Sequence, residues 1–441
     1  MKKVLLITAL VLGTSILFAQ EDLTKTGWNF GALPTITFDS DLGFQYGGLI
    51  NLYQYGDGSR YPVYDHSLYF EVSRFTKGSG INRIYYDSDR LIEGVQTSVD
   101  LSYLSDRAYD FYGFNGYDAV YNADWIDDSQ PASIYKTRMF YKYDRKLFRF
   151  KVDMVGKLSG EKLKWIGGIN FLNFKLGLVD IAKLNEGKDG EDLLPPNEEQ
   201  PGLYEKYQEW GIISAEDADG GFVPTVKAGI VFDTRDNKPN PMKGVWTEAV
   251  LVGSPEFLGG EHNFVKLSII HRQYFTIIPR NLSFAYRLDY QTTIAGTSPF
   301  YYDTQMITSV LKGATSEGLG GSNSLRGILR NRVMGSGVFM GNVEARWKFA
   351  RFQFINNNFY LGLNAFADFG RVTQKINLSN VPNLIDSGDY FDPSAEKMHY
   401  SYGGGLRIAM NENFIVKCDY GRAVDERDGK SGLYIGLNYL F

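Results

Sequence analysis

The sequence predicts an all-β fold, a sixteen-stranded antiparallel transmembrane β-barrel, and three observations carry this prediction. Segments of about 8–13 residues alternate apolar and polar side chains from about residue 28 to the last residue, with turn-forming residues between them. No apolar run after residue 20 approaches the roughly 18 residues that a spanning helix needs. The 441 residues include 30 tyrosines, 30 phenylalanines and 48 glycines, which is typical of aromatic girdles and tight barrel corners.

The clearest strand signal lies in segment 281–293. Phe284 and Leu288 face one side of it, and Arg287 and Asp289 face the other. Charged residues inside and apolar residues outside are the reverse of a soluble sandwich, but they fit a barrel in lipid around a polar lumen. The predicted strands cover 28–38, 44–55, 67–75, 95–104, 134–143, 147–157, 164–176, 225–233, 244–253, 262–275, 281–293, 337–349, 358–369, 399–410, 413–421 and 432–441.

With a periplasmic N-terminus, this strand order puts the loops after odd-numbered strands on the outer side of the membrane. The long outward segments are then 76–94, 177–224, 294–336 and 370–398. Segment 105–133 falls on the periplasmic side and is long for such a turn. The acidic stretch 186–219 favours a solvated surface loop over a calcium site, because it lacks the D-x-D-x-D-G spacing.

The N-terminus has the pattern of a secretory signal peptide. Lys2 and Lys3 form its positive region, residues 4–18 form a short apolar region, and Ala19 precedes the expected cleavage site. We therefore predict a signal peptide at 1–19 and a barrel at 20–441, with an uncleaved anchor as the alternative. Removing two lysines and no acid changes the formal charge from -5 to -7, and this mild acidity argues against nucleic acid as a partner.

The most distinctive motif of the chain lies in residues 318–348. A glycine-rich run leads into GGSNSLRGI at 320–328, and a strand that contains GNVEAR at 341–346 follows. The loop residues that define the motif are Gly320, Gly321, Ser324, Leu325, Arg326 and Gly327.

This stretch resembles the BamA/TamA-like outer-membrane assembly barrels, also called the bacterial surface-antigen family. Their loop motif is GG-x-x-S-[LV]-R-G-[FY], followed by a strand with G-N-x-E-x-R, and Ile328 stands here in place of the aromatic residue. A second match is the family's periplasmic turn, D-x-R-D-x-x-x-x-P-x-x-G. This turn consists here of Asp233, Arg235, Asp236, Pro241 and Gly244. The resemblance is best over 225–441 and implies a sixteen-stranded barrel in the outer membrane of a Gram-negative bacterium.

The resemblance also implies a role for the motif arginine. In the family this arginine reaches into the lumen and pairs with acids on the following strands. Carried over to this chain, Arg326 would pair with Glu344 and with Asp368, and both acids have the parity of lumen-facing residues. The motif loop would then fold inward. The alternative is that Arg326 is a surface loop arginine.

The first and last predicted strands form a second candidate site, the barrel seam. Gly31 and Pro34 lie in the first strand, and proline has no N–H to donate to a neighbouring strand. The last strand carries Leu437, Tyr439 and Phe441 on one face, which resembles the C-terminal signal of outer-membrane barrels. Because the family opens its barrel between first and last strand, the resemblance implies a lateral gate. A proline at the end of a strand in a closed barrel is the alternative.

Enzyme motifs are not found in the sequence. The four histidines have neither H-x3-H nor H-E-x-x-H spacing, and no G-x-S-x-G elbow occurs. His271 shares the lipid-facing parity of its strand, which leaves a membrane phospholipase as a remote alternative. We predict no enzyme activity, no metal site and no cofactor.

The predicted function is assembly, insertion or translocation of proteins or lipids at the outer membrane. Family members usually carry periplasmic POTRA modules before the barrel, but only residues 20–25 separate the predicted leader from the first strand, so we expect none here. The expected partners are outer-membrane lipid and either assembly-machinery proteins or a second barrel. A passive channel and a structural or dimeric partner barrel are the alternatives.

Overall fold

The computed structural model of the protein describes residues 24–39, 43–76, 78–190, 193–237, 240–307, 318–378, 389–412 and 414–441. The predicted signal peptide lies outside these residues. The sheet consists of β1 Trp28–Asp39, β2 Gly43–Gln54, β3 His66–Phe75, β4 Gly80–Ile92, β5 Val95–Asp110, β6 Lys142–Ser159, β7 Leu163–Gly177, β8 Phe222–Asp233, β9 Gly244–Ser254, β10 Phe264–Ile278, β11 Leu282–Gly296, β12 Gly337–Phe354, β13 Asn357–Gln374, β14 His399–Met410, β15 Phe414–Ala423 and β16 Ser431–Leu437. Short helices in the loops are α1 Ile181–Asn185, α2 Leu203–Glu209 and α3 Phe300–Asp303.

All 16 strands form one sheet, and each strand pairs antiparallel with the next along the chain. Side chains alternate across this sheet because successive residues of a strand point to opposite faces. Leu406 and Ile408 on the outer face of β14 are 53% and 51% exposed, whereas Arg407 between them is 1% exposed. Apolar residues outside and charged residues inside confirm the predicted class, a sixteen-stranded antiparallel barrel. Within the described residues no helix has the length and apolar character needed to span a bilayer.

The total of sixteen strands is right because two errors cancel. One strand was missed, and one was predicted where the structure has a loop. Segment 76–94, predicted as a loop, contains the paired strand β4. Segment 134–143, predicted as a strand, lies almost wholly in the loop before β6. The corrected order moves 105–133 to the same end of the barrel as the other long loops.

We call that end the long-loop end; it carries the described residues of segments 111–141, 178–221, 297–336 and 375–398. The opposite, short-turn end carries connections such as 93–94 and 355–356. Aromatic side chains from several long loops pack together into one buried cluster, the aromatic cap. Phe111 meets Tyr207 of α2 with ring centres 5.0 Å apart, and Tyr143 stacks on Tyr204 at 4.6 Å. The cap thus packs loops from distant parts of the sequence over the long-loop end.

Candidate functional site

The motif loop lies inside the barrel against β12, β13 and β15, and Arg326 is its fully buried centre. Its Nε and Nη2 each donate to a different carboxylate oxygen of Asp368 at 2.9 Å. The Arg326 backbone N–H donates to the same carboxylate at 3.0 Å. Its Nη1 donates to Oε1 of Glu344 at 2.5 Å. The structure therefore brings Arg326 together with both carboxylates that the sequence indicates.

A third carboxylate completes the site. Oδ2 of Asp419 on β15 lies 3.5 Å from Nη1 of Arg326, and Arg407 of β14 holds the same carboxylate through two bonds of 2.7 and 3.0 Å. The ring of Phe366 lies under the guanidinium, 3.5 Å from Cζ of Arg326. Sequence reasoning missed Asp419 and Arg407. The signal for Asp419 was present, because it shares the polar face of its strand with Lys417.

The hydrogen-bonded charges of this buried site come in equal numbers, and the buried cations Lys417 and Arg287 lie close enough to interact with its carboxylates. Glu344 also accepts a bond of 2.7 Å from Nε of Arg346, so three carboxylates face three guanidinium groups. A buried charge without a partner is costly, and removing one member of a buried pair typically destabilises by about 3–5 kcal/mol. Arg326 is the only one of these cations that comes from the loop. Docking of the loop therefore supplies the hydrogen-bonded counter-charge of Asp368.

Three close backbone approaches explain two motif glycines, Gly327 and Gly320, and the facing Gly421. A Cβ on Gly327 would lie 2.5 Å from the nitrogen of Arg422, and a Cβ on Gly421 of β15 would lie 2.6 Å from the carbonyl carbon of Arg326. Gly320 has a φ of 112°, and its Cβ would lie 1.9 Å from the carbonyl oxygen of Leu329. Only glycine fits these places without displacing backbone.

The remaining motif residues seat the loop on the wall. Oγ of Ser324 accepts the N–H of Gly320 at 2.9 Å, and Nδ2 of Asn342 on β12 donates to the Ser324 carbonyl at 2.7 Å. Gly321 also has a left-handed φ, 84°. Leu325 is fully buried in a small apolar cluster with residues of β12 and β13. Each defining residue of the motif therefore contributes to one docked conformation.

The predicted turn between β8 and β9 is also closely organised. Arg235 binds the carboxylate of Asp233 at 3.0 Å and lies over the ring of Trp246, with Cζ 4.2 Å from the ring centre. Oδ1 of Asp236 accepts the backbone N–H groups of residues 242 and 243. Gly244 has a φ of 104°, and a Cβ there would lie 2.3 Å from a carbonyl oxygen.

This turn also reaches across the short-turn end. Buried Asn240, next to the buried Pro241, donates from Nδ2 to the hydroxyl of Tyr360 on β13 and to Glu412 in the β14–β15 turn, both at 3.1 Å. Glu412 in turn accepts a bond of 2.7 Å from Nη1 of Arg351. The turn motif therefore ties β8 and β9 to the strands that hold the motif loop.

At the seam, β1 and β16 are the two edges of the sheet, and no ladder joins them among the described residues. Phe414 belongs to the outer face of β15, because it pairs with Met410, which has the outward parity of Ile408 in β14, yet it is only 8% exposed. It packs with Leu49 and Tyr53 of the inner face of β2. A Cβ on Gly31 would lie 2.4 Å from its ring. The inner face of the first strands therefore covers the outer face of β15, so the two edges overlap.

Two predicted seam residues are not in the last strand. β16 ends at Leu437, and Tyr439 and Phe441 turn into the lumen instead of continuing on the outer face. The left-handed Asn438, with a φ of 65°, ends the period-two pattern. Pro34 lies in β1 and is exposed.

His271, the residue behind the phospholipase alternative, has two hydrogen-bond partners. Its Nδ1 lies 2.7 Å from the hydroxyl of Thr247, and its Nε2 lies 3.2 Å from the hydroxyl of Tyr286. Both neighbours come from adjacent strands, so the histidine serves as a cross-strand polar link.

These features, a sixteen-stranded sheet with polar interior and a loop arginine docked inside it, define a class of outer-membrane β-barrels. A family model described as the Omp85 superfamily domain matches residues 67–441. The chain therefore belongs to the Omp85 superfamily. Barrels of this family are outer-membrane proteins of Gram-negative bacteria, and they work with partner proteins in membrane assembly or secretion.

Solved structures show the same fold at low sequence identity. BamA from Haemophilus ducreyi lacking POTRA domains 1-3 is 15% identical with a TM-score of 0.50, and the match covers 99% of this chain and 78% of that chain. CdiB from Escherichia coli is 10% identical with a TM-score of 0.53, and the match covers 95% of this chain and 62% of that one. A comparison with curated proteins finds no match.

Proposed function

We propose that this barrel assists the insertion, assembly or translocation of proteins or lipids at the outer membrane and catalyses no reaction. The observation that carries the proposal is the overlapped seam, where β1 and β16 remain unpaired in the described strands. Unpaired strand edges are templates for pairing with another chain. A seam held by side-chain packing also separates without breaking a ladder of backbone hydrogen bonds.

The docked loop supports the same function. Arg326 and its three carboxylates fix the loop on β12, β13 and β15, close to the seam. Because the docked loop holds the strands on one side of the seam in place, the strands on the other side, β1 and β2, are the ones that move when the seam opens. The buried charge site thus keeps the strands beside the seam in place.

A passive channel is the second candidate, and the interior of the barrel argues against it. The motif loop fills space within the lumen, and the aromatic cap packs over the long-loop end. An open pore needs a continuous aqueous path, so a plugged barrel supports assembly rather than diffusion.

The proposal includes a partner that captures the substrate, either a POTRA-bearing barrel or a periplasmic chaperone. Purification of the tagged protein from its own outer membrane in mild detergent, followed by mass spectrometry, tests it. Recovery with such a partner, together with loss of other barrels or of surface lipid when this protein is depleted, is the expected result. Recovery alone, with an unchanged outer membrane after depletion, would reject the assembly function.

A further inference from the structure

A row of outward-facing residues that contains three cations crosses strands β3 to β7 near the long-loop end. In the register of the sheet, each member of this cation row pairs with the next: Arg74, Gly80, Ser105, Lys146 and Lys175. All five point to the outer face, because the residue that precedes each of them in the chain is buried. Over the fully described strands β9 and β10, by contrast, the outward residues include no lysine, arginine, aspartate or glutamate.

The cations of this row have few carboxylate partners. Among the described residues, Nζ of Lys146 lies 3.4 Å from Oδ1 of Asp144, whereas Arg74 and Lys175 form no ion pair. Arg74 donates instead to neutral acceptors, among them Oδ1 of Asn82 at 2.7 Å. Lys146 and Lys175 are direct cross-strand neighbours, and like charges at that spacing repel each other. The row therefore has an excess of positive charge, which an anion between the two lysines would neutralise.

Two glycines leave a shallow groove at the start of β4, and two arginine side chains lie along it. A Cβ on Gly80 would lie 2.9 Å from Cδ of Arg74, and a Cβ on Gly78 would lie 2.5 Å from Nε of Arg107. A larger residue at either position would displace the arginine side chain beside it. Both guanidinium groups therefore lie against the outer wall, and a planar group with several N–H donors is well suited to phosphate oxygens.

The outward rows closer to the short-turn end set the depth of the cation row in the membrane. The next row carries the exposed rings of Tyr103 and Phe148, and the row after it carries the exposed Ile84 and Leu101. Aromatic girdles lie at the membrane interface, and the apolar band beyond them contacts the hydrocarbon. Because successive outward residues of a strand are about 7 Å apart, the cations lie just above the girdle, at the height of the lipid headgroups.

We propose that the cation row binds the phosphate of a membrane lipid headgroup, with Lys146 and Lys175 on either side of the phosphate. Arg74 and Arg107 extend the site across β3 to β5. A phosphate monoester carries a charge of about -1.5 to -2 at neutral pH and three acceptor oxygens, so it complements neighbouring cations that have few carboxylate partners. A lipid fits this face better than a protein loop does, because its headgroup meets the cations while its acyl chains meet the apolar rows.

The test measures lipid binding to the purified full-length barrel in detergent by native mass spectrometry. The probe is lipid A, a glycolipid that carries phosphate groups, and the matched probe is the same lipid after its phosphates have been removed. We expect the wild type to bind the phosphorylated form at least about tenfold more tightly, because each cation near an anionic headgroup contributes about fivefold. Equal affinity for the two lipids would overturn the proposal. This comparison uses the wild type alone, so it does not depend on the folding of a variant.

Two double variants locate the site on the barrel. Lys146→Gln, Lys175→Gln should weaken binding of the phosphorylated lipid roughly 25-fold. The matched control, Arg371→Gln, Arg422→Gln, removes two exposed cations from β13 and β15 and should leave the affinity unchanged. Equal effects of the two double variants would overturn the assignment to the cation row. Loss of lipid binding in excess inorganic phosphate would assign the site to free phosphate and overturn the lipid.

Neither measurement requires assembly activity, so failure here is distinguishable from failure of the proposed function.

Discussion

Replacing Arg326 with alanine removes the only cation that the motif loop contributes to the buried charge site. Glu344 and Asp419 keep Arg346 and Arg407 as partners. The carboxylate of Asp368 loses both side-chain bonds from Arg326 and keeps only the backbone N–H at that position. The main cost is thus one buried carboxylate without a hydrogen-bonded counter-charge.

A buried pair broken in this way typically costs about 3–5 kcal/mol. At about 1.4 kcal/mol per tenfold change, the equilibrium between docked and released loop shifts by roughly 150-fold to several thousand-fold. The double variant Arg326→Ala, Asp368→Ala removes both charges, so it should lose less than the sum of the two single variants.

Limited trypsin cleavage of the folded barrel measures this shift, since Arg330 and Arg332 leave cleavage sites in the loop. Cleavage reports the open population when the loop closes faster than the protease cuts. Arg371→Ala, at an exposed arginine of β13, is the matched control and should leave the rate unchanged. Wild-type protease resistance and heat-modifiability in Arg326→Ala would refute the reasoning.

Three further predictions follow from the geometry. Gly421→Ala forces a methyl group against the loop backbone and should destabilise the docked loop by about 1–3 kcal/mol in the same trypsin assay, whereas Gly48→Ala meets open space and should not. Burial alone would raise the pKa of Glu412, but Lys348 and Arg351 outweigh it and hold that pKa below its ordinary range. Its contribution to stability should therefore be present at neutral pH and be lost as the pH falls through that lowered pKa; acid titration of thermal unfolding should show a smaller loss in Glu412→Gln. In planar bilayers the wild-type barrel should show no steady conductance, and a stable open pore would favour the channel alternative.

The sequence was most informative about features that depend on residues close together along the chain. Period-two alternation predicted the barrel and its inner face because each strand has lipid on one side and a polar interior on the other. The family resemblance implied that Arg326 pairs with Glu344 and Asp368, and parity placed both acids on the lumen face. Parity alone would also have indicated Asp419, since it lies on the polar face of β15.

The errors arose where tertiary contacts overrode the local pattern. β4 is rich in charged and polar residues, so its sequence resembles a loop, but Arg83 faces inward and pairs with Asp100 at 2.6 Å. The aromatic alternation of 134–143 serves the aromatic cap instead of a strand. The period-two pattern continues through Tyr439 and Phe441, but both rings lie against Arg346 in the lumen, with its Cζ 4.4 and 4.7 Å from their centres. Their positions depend on strands distant in sequence, which no local signal encodes.

Locking the seam tests the central claim most directly. A Cβ on Gly31 would lie 2.7 Å from Cγ of Phe414, near the place of a cysteine sulfur. In a disulfide a Cβ lies about 3 Å from the far sulfur, as the standard bond lengths and the Cβ separation imply. The variant Gly31→Cys, Phe414→Cys in a Cys418→Ser background should therefore form a bridge across the overlapped edges.

The locked variant replaces the wild-type copy in cells, and the abundance of other outer-membrane barrels and of surface lipid is measured with and without reductant. The account predicts the same loss as in depleted cells while the bridge is intact, and recovery when the reductant opens it. Each single-cysteine variant controls for the substitutions. A normal outer membrane in cells whose protein is fully bridged would contradict a function that depends on opening this seam.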